Sequence, residues 1–282
     1  MAKDGVGLLS IGDISSATGL SVDVIRVWER RYGFPVPVRL PSGHRRYQGE
    51  DLQRLRLMAE ALAQGRRPAM VARADTDALR QMIMPSGNPE LEALWHAVED
   101  MDSERIRNLL QGQLERLGWR PFLLQVVRPL LDRVGLAWAD GEIGVHHEHL
   151  VSEVLEDILR RIRQAFPVLA GRGRVLLCTL PGERHRLEVL MAALAYAAHG
   201  ARTELMGMDL PIASIAQAAK LLKADRVAIT LSLQNAGESV RRLIVDLRDR
   251  LPAECQLVIG GKGATRTRRV RGVGRMMELE VI

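Results

Sequence analysis

Val175-Leu176-Leu177-Cys178-Thr179-Leu180-Pro181-Gly182-Glu183-Arg184-His185 is the stretch on which the fold turns. Its first four residues are apolar and soon meet a Pro-Gly break, the pattern of a short buried strand ending in a loop. The pattern then recurs. A helical stretch from Arg184 to Ala198 leads to Thr203-Glu204-Leu205-Met206-Gly207, and another from Ile212 to Leu222 leads to Arg226-Val227-Ala228-Ile229-Thr230-Leu231. A third, Glu238 to Arg250, leads to Cys255-Gln256-Leu257-Val258-Ile259 and then Gly260-Gly261, and Met276 to Ile282 reads as a last strand. Strands alternating with helices of roughly 10–15 residues are βαβ units, so residues 172–282 are predicted to form a doubly wound parallel sheet. Ligands of such sheets sit beyond the carboxyl ends of the strands, which places Glu183 and His185 in a ligand-facing loop. Imidazole is a common metal ligand, and a carboxylate two residues away can orient its other nitrogen.

Upstream the texture is helical. Leu91, Leu94, Val98, Ile106, Leu109, Leu110 and Leu117 fit one or two amphipathic helices, and Phe122 to Leu136 and Leu150 to Ile162 fit two more. Residues 90–168 are therefore predicted to be a four-helix bundle. Pro85-Ser86-Gly87-Asn88-Pro89 separates it, as a linker, from a first module over residues 1–84. In isolation Trp138 reads as a core residue and His149 as a surface or capping histidine.

At 282 residues the chain has room for two or three domains, and its 47% hydrophobic and 26% charged composition excludes a wholly disordered chain. No apolar run reaches the roughly 18 residues that span a bilayer, and Met1-Ala2-Lys3-Asp4-Gly5 does not open a signal peptide. Cys178 and Cys255 lie in apolar strands, so buried free thiols and a cytoplasmic location are expected. The net charge is +6, and its placement is uneven. Residues 26–73 hold eleven arginines against four acids, and Lys262 to Arg275 hold six cations and no acid. Arginine in place of lysine favours bidentate contact with phosphate or guanine. The second run reads first as a solvated loop.

In the first module Ser10 is a helix N-cap with Asp13 at the capping-box position, Gly19-Leu20 makes a turn, and Ser21 caps a second helix. Two short helices joined by a glycine turn are a helix-turn-helix, whose second helix enters the major groove. Asp51-Leu52-Gln53-Arg54-Leu55 opens another helix. Trp28-Glu29-Arg30-Arg31-Tyr32-Gly33, then Pro37 and Arg39, then Gly43-His44-Arg45-Arg46-Tyr47, resemble the winged helix-turn-helix of MerR-family regulators over about residues 8–75. The resemblance implies that Arg26, Arg30 and Arg31 face DNA from the second helix. It implies further contacts from Arg39, His44, Arg45, Arg46 and Tyr47 around the wing. Trp28, by its own pattern, is expected in the core.

The rest of the chain resembles the light-responsive, cobalamin-binding branch of that family, the CarH/LitR group. The residues that carry this are Trp138, Glu148-His149 at W-x(9)-E-H spacing, and Glu183-Arg184-His185 after strand one. The α/β part is also similar to the cobalamin module of methionine synthase, matched by Glu183-Arg184-His185, Thr230-Leu231-Ser232 and Gly260-Gly261. The resemblance implies a flavodoxin-like domain that binds cobalamin, adenosylcobalamin above other forms. His185 would ligate cobalt, supported by Glu183. Thr230, Ser232, Gly260 and Gly261 would line the tail pocket, and Trp138, Glu148 and His149 the upper face. The sequence departs from the pattern in places. Glu188 stands where a glycine is expected, Thr230 replaces a serine, and Ala139 stands where light-sensing relatives can carry a histidine.

The expected protein is a multidomain α plus α/β regulator, not an enzyme and without a membrane segment. It would bind double-stranded operator DNA as a homodimer or homotetramer and respond to light through photolysis of adenosylcobalamin. Two alternatives stand beside it: a regulator with a cobalamin-free sensor domain, and a corrinoid carrier of a methyltransferase or mutase. The arginine-rich first module argues against the carrier.

Overall fold

The computed structural model describes residues 8–40, 43–83, 89–232, 235 and 237–276, with only the backbone described at residues 63, 139 and 140. It is mostly helical with one parallel five-stranded sheet. Its contacts divide the chain into two compact units, residues 1–92 with 129–145, and residues 93–128 with 146–282.

The first unit begins with α1 (Ile11–Thr18), where Ser10 and Asp13 form a reciprocal capping box and Gly19 closes the helix at φ 65°. Ser21 Oγ then accepts from Val24 N and caps α2 (Val22–Tyr32). The strands β1 (Val38–Arg39) and β2 (Arg45–Arg46) pair antiparallel, and Tyr47 extends the pairing to Leu9. Next come α3 (Gly49–Ala63), α4 (Pro68–Arg73) and α5 (Thr76–Ile83). The expected third helix starts two residues early, at Gly49, because Asp51 is its third residue and receives Gln48 N. Ile14, Leu20, Ile25, Trp28, Tyr47, Leu55 and Leu79 form the core, with Leu136 packed against it. Within this unit Gln64 Nε2 donates to Asp132 Oδ2 at 3.1 Å and Arg80 pairs with Glu142 at 3.0 Å.

Four helical stretches follow where the bundle was expected: α6 (Pro89–Glu99), α7 (Ser103–Leu117), then α8 (Trp119–Phe122) running through a π-helical turn at Leu123–Val127 into α9 (Arg128–Asp140), and α10 (Val145–Gln164). In the second unit, α10 is joined to the sheet domain by Arg163 Nη1 donating to Thr203 Oγ1 at 3.0 Å and by Glu156 pairing with Arg186 at 3.3 Å. That domain runs β3 (Arg174–Cys178), α11 (Arg186–Ala198), β4 (Arg202–Gly207), α12 (Ile212–Leu222), β5 (Arg226–Thr230), α13 (Glu238–Arg250), β6 (Gln256–Gly260) and β7 (Val273–Arg275). The order β4-β3-β5-β6-β7, all parallel, is the flavodoxin-like one, with its reversal between β3 and β5. Both cysteines are buried and free. The last described strand, β7, ends at Arg275; residues 277–282 of the expected last strand lie outside the described residues, as do residues 85–88 of the expected linker.

Candidate functional site: a nucleic-acid face and a ligand loop

On α2 the core side is Ile25 and Trp28, buried as the sequence predicts for Trp28. The opposite side exposes Arg26, Arg30 and Arg31. Arg31 lies 5.5 Å from the Tyr32 ring. Around the hairpin, Arg39, His44 and Arg45 are exposed and Arg46 is half-buried. The register sets Arg39 directly opposite Arg45, a like-charged pair that the protein tolerates at some cost. Arg45 is balanced by Glu29 at 3.1 Å, whereas Arg26, Arg30 and Arg39 have no ion pair among the described residues. One expected contact is corrected. Tyr47 is fully buried, its hydroxyl donating to Glu29 Oε2 at 3.3 Å, so it braces the wing against α2 instead of facing DNA.

In the second unit the loop after β3 is built by its own polar groups. Thr179, fully buried, donates its hydroxyl to Glu183 O at 2.6 Å and accepts Asp209 N at 2.8 Å. Gly182 N donates to Asp209 Oδ1 at 2.7 Å, and Asn235 Nδ2 donates to Gly182 O at 3.1 Å. These clamps carry Glu183 inward until it is 1% exposed. Its Oε2 accepts Ser232 N at 2.9 Å, which ties the β3 loop to the end of β5. Its Oε1 accepts both His185 N at 3.2 Å and His185 Nδ1. Burial opposes ionisation of Glu183, but the hydrogen bonds from His185 and Ser232 outweigh it and hold the carboxyl at about 2. An ionised carboxylate only accepts, so Nδ1 carries a proton and Nε2 is the nitrogen left for another partner. The same hydrogen bond lifts His185 to about 9 against its burial, with help from the charges of Glu188 and Glu148. The His185 side chain keeps 46% of its exposure, enough to meet a ligand.

Two further observations bear on a ligand. Thr230 Oγ1, at the carboxyl end of β5, is buried with no hydrogen-bond partner among the described residues, an arrangement that costs roughly 1–3 kcal/mol unless something fills it. Ser232 beside it is buried and accepts Asn235 N at 3.3 Å. The glycines are used by the chain itself: a Cβ on Gly261 would stand 2.6 Å from Leu231 O, and Gly261 also has φ +83°. A Cβ on Gly260 would stand 2.8 Å from Met276 Cβ. A half-exposed imidazole with one nitrogen fixed at the end of β3, together with an unsatisfied buried hydroxyl at the end of β5, fits a metal-centred ligand bearing polar substituents. Among the described residues no group of three or more His, Cys, Asp or Glu could hold a metal ion.

Glu148 and His149 lie at the start of α10. Glu148 accepts Ser152 Oγ at 2.7 Å and meets His149 Nδ1 at 2.7 Å, and the His149 ring is largely exposed. Trp138 belongs to the first unit and is 49% exposed, so the core reading of its pattern is corrected: the indole lies on the outer side of α9. Glu188 is half-buried in the first turn of α11, where its charge suits the helix terminus. The sequence reading missed Thr179, Asp209 and Asn235. A threonine leaving a strand and an aspartate just after the neighbouring strand are the only traces they leave.

Residues 9–76 match the MerR HTH family regulatory protein family and residues 90–163 the B12 binding domain family. The chain is 29% identical over 258 residues to the HTH-type transcriptional repressor CarH of Myxococcus xanthus, covering 87% of this chain and 86% of that protein. It is 26% identical over 257 residues to the repressor CarA of the same organism, covering 91% and 87%. Both relatives are named as transcriptional repressors. The Methanosarcina barkeri monomethylamine corrinoid protein aligns with 69% of this chain and 96% of its own at a TM-score of 0.50. At 14% identity that likeness shows the fold alone. No helix among the described residues is long and apolar enough to cross a membrane. The chain thus carries a MerR-type helix-turn-helix domain and a B12-binding domain in one polypeptide, and it is homologous to the CarH and CarA repressors over most of its length.

Proposed function

We propose that the chain is a DNA-binding transcriptional regulator that senses cobalamin, takes adenosylcobalamin in preference to other forms, and answers to light. The observation that carries the reading is the Glu183–His185 pair at the carboxyl end of β3, in one chain with the arginine face of α2. His185 Nε2 is the proposed cobalt ligand. Coordination requires that nitrogen without a proton; Glu183 retains the proton on Nδ1, so the one given up is that of Nε2. Thr230 Oγ1 and Ser232 offer hydroxyls to the cofactor's tail. Adenosylcobalamin, when bound, supplies a cobalt–carbon bond that visible light breaks. The state with the adenosyl group and the state without it must differ in their affinity for the DNA-binding assembly, or light would change nothing. A homodimer or homotetramer on palindromic or repeated half-sites suits a module of this type.

A second reading has one observation in its favour. Glu188 occupies the position of the glycine in the resembled pattern and places its charge near His185, which suits a sensor domain that holds no cobalamin. Titrating the full chain with adenosylcobalamin in the dark separates the two. A shift in the visible spectrum that His185→Ala removes supports the first reading. Loss on illumination of retardation of a duplex selected from a random library would support the light response. No absorbance change with any cobalamin sinks the cofactor reading and leaves the second. Failure to enrich any duplex sinks the DNA reading.

A further inference from the structure

Val24 and Val27 of α2 are 36% and 40% exposed, and phosphate binding explains neither. Residues on a helix turn by about 100° each, so Val27 lies nearly opposite the buried Ile25 and Trp28 side. Its neighbours at three and four residues are Asp23, Arg30 and Arg31, all exposed, and Val24 lies one turn earlier. Lone exposed aliphatic side chains are ordinary. These two are distinguished by their position: Val27 lies within about 60° of Arg30 and Arg31 around the helix, and Val24 within about 20° of Arg31, at the edge of the arginine face.

That face must be covered by something that accepts cations around an apolar centre. A second copy of the same face is excluded by its charge, because Arg26, Arg30 and Arg31 would meet their counterparts. The major groove of DNA meets both requirements. Its rims are phosphate, and among the base edges it displays one apolar group, the C5 methyl of thymine. The minor groove displays none. Valine also suits the task physically, since its branched side chain is stiff about χ1 and loses little freedom on contact.

We infer that Val24 and Val27 read thymine, packing on C5 methyl groups in the major groove and supplying a base preference distinct from the phosphate and guanine contacts of the arginines. The inference rests on the DNA-binding reading above, and its test separates the two. A duplex is selected from a random library with the full chain and resynthesised with uracil in place of thymine, one position at a time. Uracil lacks only the methyl group. Binding is expected to weaken about fourfold at one or more positions, the value of one buried methyl-sized group. At those positions Val27→Ala or Val24→Ala should bind the thymine and uracil duplexes equally. The dependence on salt should not change, because no charge is lost.

Unchanged affinity at every uracil position, with the selected duplex still bound, overturns the inference and leaves DNA binding intact. Full thymine preference retained by both valine variants also overturns it, since another residue then reads the methyl. If no duplex is enriched, both readings fall. The uracil scan on the unaltered chain stands even if a variant folds poorly.

Discussion

On α2 and the β1–β2 hairpin, the groups assigned to DNA are charged, exposed and largely left unpaired by the protein. At the ends of β3 and β5, Thr179, Glu183 and Ser232 are polar, buried and bound to backbone, around the half-exposed His185. The first region leaves its cations for a partner that brings its own charge. The second must satisfy its own hydrogen bonds before any partner arrives, because a buried polar group without one is costly. Thr230 Oγ1 is the exception, buried without a hydrogen-bond partner among the described residues. Substitutions should therefore act in opposite ways in the two regions: on binding alone in the first, on local stability together with binding in the second.

The hardest way to break this contrast is to remove a core residue beneath the DNA face. Trp28→Ala should cost about 3–5 kcal/mol and abolish DNA binding, with amide hydrogen exchange accelerated across residues 9–83 and unchanged in β3 and β5. Next is Glu183→Ala, expected to cost about 2–3 kcal/mol, because it strands Ser232 N and releases His185. Its exchange pattern should be the reverse, with protection lost around residues 179–185 and 231–235. Equal loss in both units would contradict the two-region picture. Arg26→Ala should weaken duplex binding by about 1–3 kcal/mol and reduce the salt slope by about one, with the thermal midpoint unchanged. Ser21→Ala, which removes only the cap of α2, should lower stability by about 1 kcal/mol. The smallest expected effect concerns Cys178, whose thiol burial pushes up to about 12. In the native protein it should resist thiol reagents through pH 9 and react only after denaturation.

Much of the fold was legible because hydrophobic burial writes it into the chain. β3, β5 and β6 are apolar runs, and α11, α12 and α13 fill the gaps between them. β7 was not legible in the same way: Val273–Arg275 is short, at the edge of the described sheet, and has two exposed residues, so it carries no apolar signature. Strand order was legible only through the resemblance, since it depends on pairings across 16 to 51 residues and no local pattern encodes them. At the site, Glu183 and His185 could be read from their place after a strand. Thr179, Asp209 and Asn235 could not, because what makes them matter is a hydrogen bond to backbone far away in sequence. Tyr47 misled for a related reason: beside His44, Arg45 and Arg46 it has the company of a binding residue, but its ring completes the core and its hydroxyl finds Glu29.

Residues 129–145 complete the first unit, although they are made after α6, α7 and α8. A chain leaving the ribosome folds from its N-terminus as segments become available. At the moment residue 83 has emerged, the helix-turn-helix has its capping boxes and most of its core, yet Leu136 is not there to cover that core and Asp132 is not there to receive Gln64. The first unit is therefore finished only once much of the helical region has been translated. A nascent or prematurely ended chain that stops before residue 129 lacks these contacts of the first unit. The order of synthesis thus delays completion of the first unit until residues 129–145 are made.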